Sequence, residues 1–331
     1  MRRETIKQAL AHKNTGRVPY NIILSPESWD LYAPKLIDRY ADSKIKSDLE
    51  AGRINRLEAY SLAIGNCMLY VSAPWWGWHS YPEDYSSWDA PTLLPYTKGY
   101  GSYEQSFSHW QYLRENYDAY LLVTIIGSHF EKAYFARGLE NFLADLAGEP
   151  EFSDRLLRMI IRKNMVMLEN FLISPHIDGV LLGSDWGTQR GMLMSPEVWR
   201  ERIKEGERQE YDLIHSMGKD VFVHSCGKID PILPDLCEMG LDALNPIQPE
   251  CMDIGELKRL YGGSLAYYGG ISTQQILPNG TPEEVARETR RVIELMSTDG
   301  GYITGPSQEI MPDVPYENLL ALIDTAKEYM E

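Results

Sequence analysis

Short apolar runs alternate with amphipathic stretches along most of this chain. Arg17–Leu24, Cys67–Val71, Leu121–Gly127, Ile177–Leu182, Val221–Val223, Asp242–Pro246, Leu265–Gly270 and Gly300–Thr304 each read as a short buried strand bounded by Gly, Pro or polar residues. Helical patterns lie around and between them. Residues 1–15 carry Ile6, Ala9 and Leu10 on one side, and Leu156, Ile160, Met167 and Phe171 form part of a stripe over 152–171. Ser195-Pro196-Glu197 opens a helix that runs to about Ser216, and Asp230-Pro231 opens another that Gly240 ends. Thr281 and Glu284 have capping-box spacing, and Pro315 to Tyr329 closes the chain. Eight short strands alternating with helices predict a single α/β domain over 1–331, a (β/α)8 TIM barrel, in preference to a doubly wound sheet. No G-x-G-x-x-G, Walker or G-x-S-x-G sequence argues otherwise.

Residues 74–110 break the rhythm. Trp75, Trp76, Trp78, Tyr81, Tyr85, Trp88, Tyr96, Tyr100, Tyr103, Phe107 and Trp110 sit among Gly, Pro and Ser. The stretch reads as an aromatic-rich, lid-like excursion near the active-site mouth. Almost no Lys or Arg accompanies the rings, which argues against a base-stacking platform.

Polar residues gather just beyond the carboxyl ends of the predicted strands, where barrel enzymes build their sites: Asp185, His224, Asn245, Gly269-Gly270 and Ser307-Gln308-Glu309. His224 and Cys226 end the fifth strand two residues apart, so both point to one side. An imidazole and a thiolate so placed suit a transition metal such as zinc. The rival reading is a thiol and imidazole lining a metal-free pocket. Asp185 can position a substrate or accept a proton, or else cap the next helix; Gln189 and Arg190 add binding groups beside it. Glu131 points toward the same mouth or is a solvated helix-start carboxylate, and Glu309 is an oxygen ligand or faces water. Cys251 is a reserve ligand, and Cys237 belongs to a helix's core face. His12, His79, His109, His176 and His215 read as surface residues.

Charge removes one class of function. With 32 Lys plus Arg against 48 Asp plus Glu, the net charge is −16, which argues against general nucleic-acid binding. The charged N-terminus has no apolar core behind it, no run approaches a membrane span, and four cysteines are scattered without a framework. A cytoplasmic protein with free thiols, not membrane-bound, is the expectation.

Five segments carry a resemblance: Gly183–Arg190 (GSDWGTQR), Phe222–Gly227 (FVHSCG), Leu244–Pro249 (LNPIQP), Tyr268–Gln274 (YGGISTQ) and Gly300–Ile303 with Pro312–Asn318 (GGYI, PDVPYEN). In that order they resemble the uroporphyrinogen decarboxylase superfamily, densely from about residue 130 to the C-terminus and thinly before it. Gly16-Arg17-Val18-Pro19 also fits. The resemblance implies a (β/α)8 barrel acting on a small-molecule substrate, and leaves homodimerisation open. The superfamily's true decarboxylases hold substrate carboxylates with an arginine-rich segment near the first strand; here that region reads Tyr20-Asn21-Ile22-Ile23-Leu24. The chain is more similar to the branch that moves a methyl group between methylcobalamin, carried on a corrinoid partner protein, and a thiol or other nucleophile. By that resemblance, zinc is held by His224 and Cys226. The third ligand, usually a Cys after the last strand, falls at Gln308, with Glu309 or Cys251 as substitutes. Asp185 and Glu131 are then catalytic candidates, and Trp186, Gln189, Asn245 and Gln274 candidate substrate contacts. Two alternatives stay open: a decarboxylase of a porphyrinogen or another electron-rich acid, and a corrinoid- or tetrapyrrole-binding protein without turnover.

Overall fold

The computed structural model describes residues 1–76 and 102–331. Seven strands form one parallel sheet in chain order: β1 (Met68–Val71), β2 (Tyr120–Ile125), β3 (Gly179–Gly183), β4 (Asp220–His224), β5 (Ala243–Ile247), β6 (Ala266–Ile271) and β7 (Tyr302–Pro306). Each pairs with the next, and helices supply the crossovers. The arrangement is TIM-barrel-like.

The predicted first strand differs. Val18–Leu24 is not a strand and makes only isolated parallel bridges, Tyr20 to Thr304 and Leu24 to Ile310. The reason lies in the bonds of Pro19 and Ile22. Pro19 has no N–H to give, and the Asn66 side chain takes both backbone groups of Ile22, accepting from its N–H (2.9 Å) and donating to its C=O (3.0 Å). The segment nonetheless bonds on two sides. Asn21 N–H donates to Thr304 C=O at the β7 side, and Cys67 N–H, just before β1, donates to Tyr20 C=O, both at 2.9 Å.

Strand alternation sorts the core into two layers. Met68, Tyr120, Leu122, Leu181, Phe222, Ala243, Ala266, Tyr268 and Ile303 form a cluster on one face of the sheet. Ile6 and Ala9 of the helix Arg2–Leu10 join that cluster, so this helix, shorter than the predicted 1–15, packs on the same inner layer. The opposite residues, among them Leu121, Val123, Val180, Val221, Val223 and Leu244, pack against the surrounding helices. At about 1.5–3 kcal/mol for each buried Val, Leu or Phe side chain, these layers supply most of the folding drive.

Two further expectations shift. The helix predicted from Ser195 to Ser216 is two, Pro196–Arg202 and Lys204–Ser216, broken at Ile203. The end of the aromatic stretch is a helix, Tyr103–Asn116, whose Trp110 is fully buried against Phe107 and Phe171; that part of the predicted lid belongs to the core. Trp76 is also buried, beneath the Lys132 and Lys163 ammonium groups. Trp78, His79, Tyr81, Tyr85, Trp88, Tyr96 and Tyr100, which the lid reading includes, lie outside the described residues. Among the described residues, no helix is long and apolar enough to cross a membrane.

Candidate active site

The inward-facing positions that fill the core lower in the sheet become polar at its carboxyl end. Leu122 is followed two residues on by Thr124, Leu181 by Gly183, Phe222 by His224 and Ala243 by Asn245. Those upper residues, with Tyr70, Glu131, Tyr268, Gln308 and Glu309, line a cavity of about 330 Å³. Ile23, Ile125, Leu181, Pro246 and Pro306 give it an apolar wall. None of the described lining residues is Lys or Arg.

Asp185, His224 and Cys226 converge at its edge, each half-buried, with one ligand atom apiece and all three within 4.8 Å of one another. His224 Nε2 stands 3.3 Å from Cys226 Sγ and 3.9 Å from Asp185 Oδ1. His224 Nδ1 donates to Asn245 Oδ1 at 2.8 Å, an arrangement that leaves the lone pair on Nε2 facing the other two. Asp185 Oδ1 accepts the Cys226 N–H at 2.8 Å, and Gln308 Nε2 donates to Cys226 Sγ at 3.2 Å. The loop after β3 and the loop after β4 are thereby tied together. Gly187 and Gly227 allow the close approach: Gly227 has φ +84°, and a Cβ there would lie 2.6 Å from Thr188 C=O. Burial pushes the Cys226 thiol up to about 12, and the Asp185 charge adds to it. A carboxylate, an imidazole lone pair and a thiol form a donor set that suits zinc. The residues present fit the metal that the sequence motif implies.

Glu131 lies in the first turn of the helix His129–Arg137, and its carboxyl group reaches the cavity wall. A Cβ on Gly183 would sit 2.6 Å from Glu131 Oε2, so the glycine makes room for it. Tyr134 O–H donates to Oε1 at 2.8 Å. Burial first, then the Asp185 charge, raises the Glu131 pKa.

The other expected residues fall in three places. Glu309 lines the cavity, with its pKa raised by burial, but does not join the three gathered atoms. Gln189, Gln274 and Cys251 meet outside the cavity lining, where Gln189 Oε1 accepts from Gln274 Nε2 (3.3 Å) and from Cys251 Sγ (3.2 Å). Trp186 is fully buried edge-to-face on Trp199 and does not line the cavity. His109 and His215 are half-buried instead of surface residues, paired with Glu58 (2.6 Å) and Asp242 (2.8 Å).

Sequence reading missed several residues of the cavity. Tyr70 and Tyr268 touch hydroxyls at 3.2 Å, and Asn21 Nδ2 donates to Tyr268 at 3.1 Å. The signal was present for Tyr268, two residues beyond Ala266 on the same face. Asn21, behind Tyr268 and not in the cavity lining, gave none, because its segment forms no regular strand.

Comparison with known proteins identifies the family. Residues 101–329 match the uroporphyrinogen decarboxylase (URO-D) family. A methylated-thiol–coenzyme M methyltransferase of Methanosarcina mazei is 25% identical over 217 residues, 65% of this chain and 56% of that protein. A methylcobamide:CoM methyltransferase, MtaA, of Methanosarcina barkeri is 28% identical over 138 residues, 41% of this chain and 38% of that one. The chain thus spans about half or less of the length of these relatives. A solved methyltransferase structure from Methanosarcina mazei superimposes with a TM-score of 0.67 at 15% identity, covering 100% of this chain and 99% of that one, and so shares the fold. The chain belongs to the uroporphyrinogen decarboxylase family, and its relatives there include the thiol and cobamide methyltransferases.

Proposed function

We propose that this protein is a metal-assisted methyltransferase that moves a methyl group between a corrinoid and a thiol or similar nucleophile. One observation carries the reading: Asp185, His224 and Cys226 converge on the cavity edge with ligand atoms within 4.8 Å. These three residues would hold zinc, with Gln308 and Glu309 beside them at the opening. Bound there, zinc supplies a Lewis acid that lowers the pKa of an acceptor thiol. Asn245 fixes the His224 tautomer, and the Gln308 amide donates to the Cys226 sulfur. Glu131, with its raised pKa, is placed to take the acceptor's proton or return it. The apolar wall excludes water, and Gln189 and Gln274 orient the acceptor from the rim. A cavity of about 330 Å³ suits a small acceptor and is far too small for a corrin, so the methyl donor meets the site at its mouth, carried by a separate protein.

The decarboxylase reading rests on kinship with a uroporphyrinogen decarboxylase of Vesicomyosocius okutanii, 24% identical over 182 residues. Substrate carboxylates require cations, and the described cavity lining has none. Metal analysis of protein purified without chelator, with methylcobalamin demethylation in the presence of small thiols, tests the proposal. We expect zinc with sulfur in its first shell by X-ray absorption, and thiol-dependent demethylation, both lost in H224A/C226A. Absence of a sulfur-ligated metal, or loss of uroporphyrinogen III carboxyl groups without any corrinoid, would overturn it. Perturbed methylcobalamin spectra without demethylation would instead favour a binding protein.

A further inference from the structure

Behind the cavity, three fully buried ionisable groups from two separate helices meet. His129 opens the helix after β2; Glu207 and Glu210, three apart and therefore on one face, project from the helix Lys204–Ser216. All three side chains are 0% exposed. His129 Nε2 donates to the Ile203 C=O at 3.2 Å, a carbonyl between the two helices that also accepts the Gly206 and Glu207 N–H groups. Gly206 permits this contact, since a Cβ there would lie 2.7 Å from the same nitrogen. Burial lowers the His129 pKa, but the Glu210 and Glu207 carboxylates raise it overall, so Nδ1 carries a proton facing them or offers its lone pair to a cation in the proton's place. Nδ1 lies 3.3 Å from Glu207 Oε1 and 3.7 Å from Glu210 Oε2, yet makes a hydrogen bond with neither.

The rest of the neighbourhood is occupied by donors already in use. Ser128 and Ser184 hydroxyls approach Glu207 Oε1 at 3.1 and 3.3 Å, and Asn164 Nδ2 donates to Glu210 Oε1 at 2.6 Å. Tyr211 stands beside Glu207. Lys132, a buried ammonium that also feels the Glu210 charge, is bonded to Gly127 C=O and lies over the Trp76 ring. Glu207 Oε2, Glu210 Oε2, Asn164 Oδ1 and His129 Nδ1 remain buried without a hydrogen-bond partner. Two buried carboxylates beside an imidazole are unfavourable as anions unless a proton or a cation lies among them, and burial raises the Glu207 pKa.

We propose that His129, Glu207 and Glu210, with Asn164 Oδ1 at hand as a fourth donor, form a second and buried site for a divalent first-row metal cation. The chemistry is that of one imidazole and hard oxygens, suited to manganese, iron or zinc. The spacing fits: donors around a cation at about 2.1 Å lie about 3–4.2 Å apart, and both His–Glu separations fall in that range. The backbone bond to His129 Nε2 is the outer contact that metal-ligating histidines ordinarily make. Its role is to anchor. Glu207 holds Ser184, next to Asp185, and Ser128, whose N–H donates to Gly183 C=O at 2.6 Å, so the cation fixes the two loops that carry Glu131 and Asp185. The inference stands apart from whether Asp185, His224 and Cys226 bind zinc.

The test uses the full chain, exposed anaerobically in turn to Mn²⁺, Fe²⁺, Co²⁺ and Zn²⁺, then desalted and analysed for metal. In the H224A/C226A variant, one equivalent per chain should remain and should raise Tm over the chelated protein. Its Co²⁺ form should show weak visible bands without thiolate charge transfer, and X-ray absorption should give a first shell of nitrogen and oxygen alone. Adding E207Q/E210Q should remove that equivalent. No retained metal in H224A/C226A with any of the four ions, a sulfur in its first shell, or retention after E207Q/E210Q would overturn the proposal. The spectroscopic arm needs no substitution in the cluster, so it decides the matter even where the glutamine variants fail to fold.

Discussion

Glu131 shows how one side chain can hold both a stability cost and a chemical role. Its carboxyl is buried at the cavity wall, held by Tyr134, with its pKa raised by desolvation and by the Asp185 charge. The folded state therefore binds more protons than the unfolded chain between the two pKa values. Stability is fully present below the unfolded value, near pH 4 for a free glutamate, and falls as pH rises through the folded one. Glu131→Gln removes that dependence. In chelated protein, the Tm of the variant relative to the parent should climb from pH 4 upward and then level off. A flat difference across that range would show that Glu131 is not the group concerned. Gly183→Ala probes the same point sterically, because its methyl would lie 2.6 Å from Glu131 Oε2 and 2.9 Å from Gly127 N. A loss of roughly 1–3 kcal/mol in urea unfolding is expected, and a cost below about 0.5 kcal/mol would mean the carboxylate simply swings away.

Elements differ in how plainly their sequences announce them. The capping box at Thr281 is complete, with Glu284 N–H donating to Thr281 Oγ1 and Thr281 N–H to Glu284 Oε2, and it starts the helix Pro282–Met296 where the spacing predicts. Thr281→Ala should cost about 1 kcal/mol in denaturant unfolding, and no measurable loss would show the box to be redundant. Seven of the strands were equally legible, because apolar runs between turn residues leave few choices. The exceptions share a physical cause: the deciding partner is remote in sequence. Arg17–Leu24 reads as a strand, but the Asn66 amide consumes the ladder bonds of Ile22. At the break at Ile203, the carbonyl that His129 meets lies 74 residues away. His224 and Cys226 were visible together because they share one strand end. That Asp185 brings the oxygen beside them, while Gln308 donates to the sulfur, depends on how two loops meet. No local pattern encodes that meeting.

At the scale of the whole molecule, the two ends of the sheet carry different burdens, as in barrel enzymes generally. The carboxyl end gathers the cavity and its polar residues. The amino end is closed by ion pairs that bring distant segments together. Asp178, just before β3 and only 1% exposed, receives the guanidinium groups of Arg3 and Arg114 and the Leu121 N–H (2.8 Å). Nearby, Lys7 bonds Asp220 at 2.6 Å, seating the same N-terminal helix at the start of β4. Asp178→Ala would leave Arg114, 19% exposed, without its carboxylate and would release Arg3 from the sheet. Breaking a buried pair from one side costs about 3–5 kcal/mol, a large part of a typical domain's stability. Urea midpoints should fall accordingly. Metal content and thiol-dependent demethylation, measured where the variant is still folded, should stay at parental levels, because Asp178 and Asp185 lie at opposite ends of β3. Loss of metal or activity in the folded variant would mean that the amino end takes part in shaping the site, and that this division of labour is wrong.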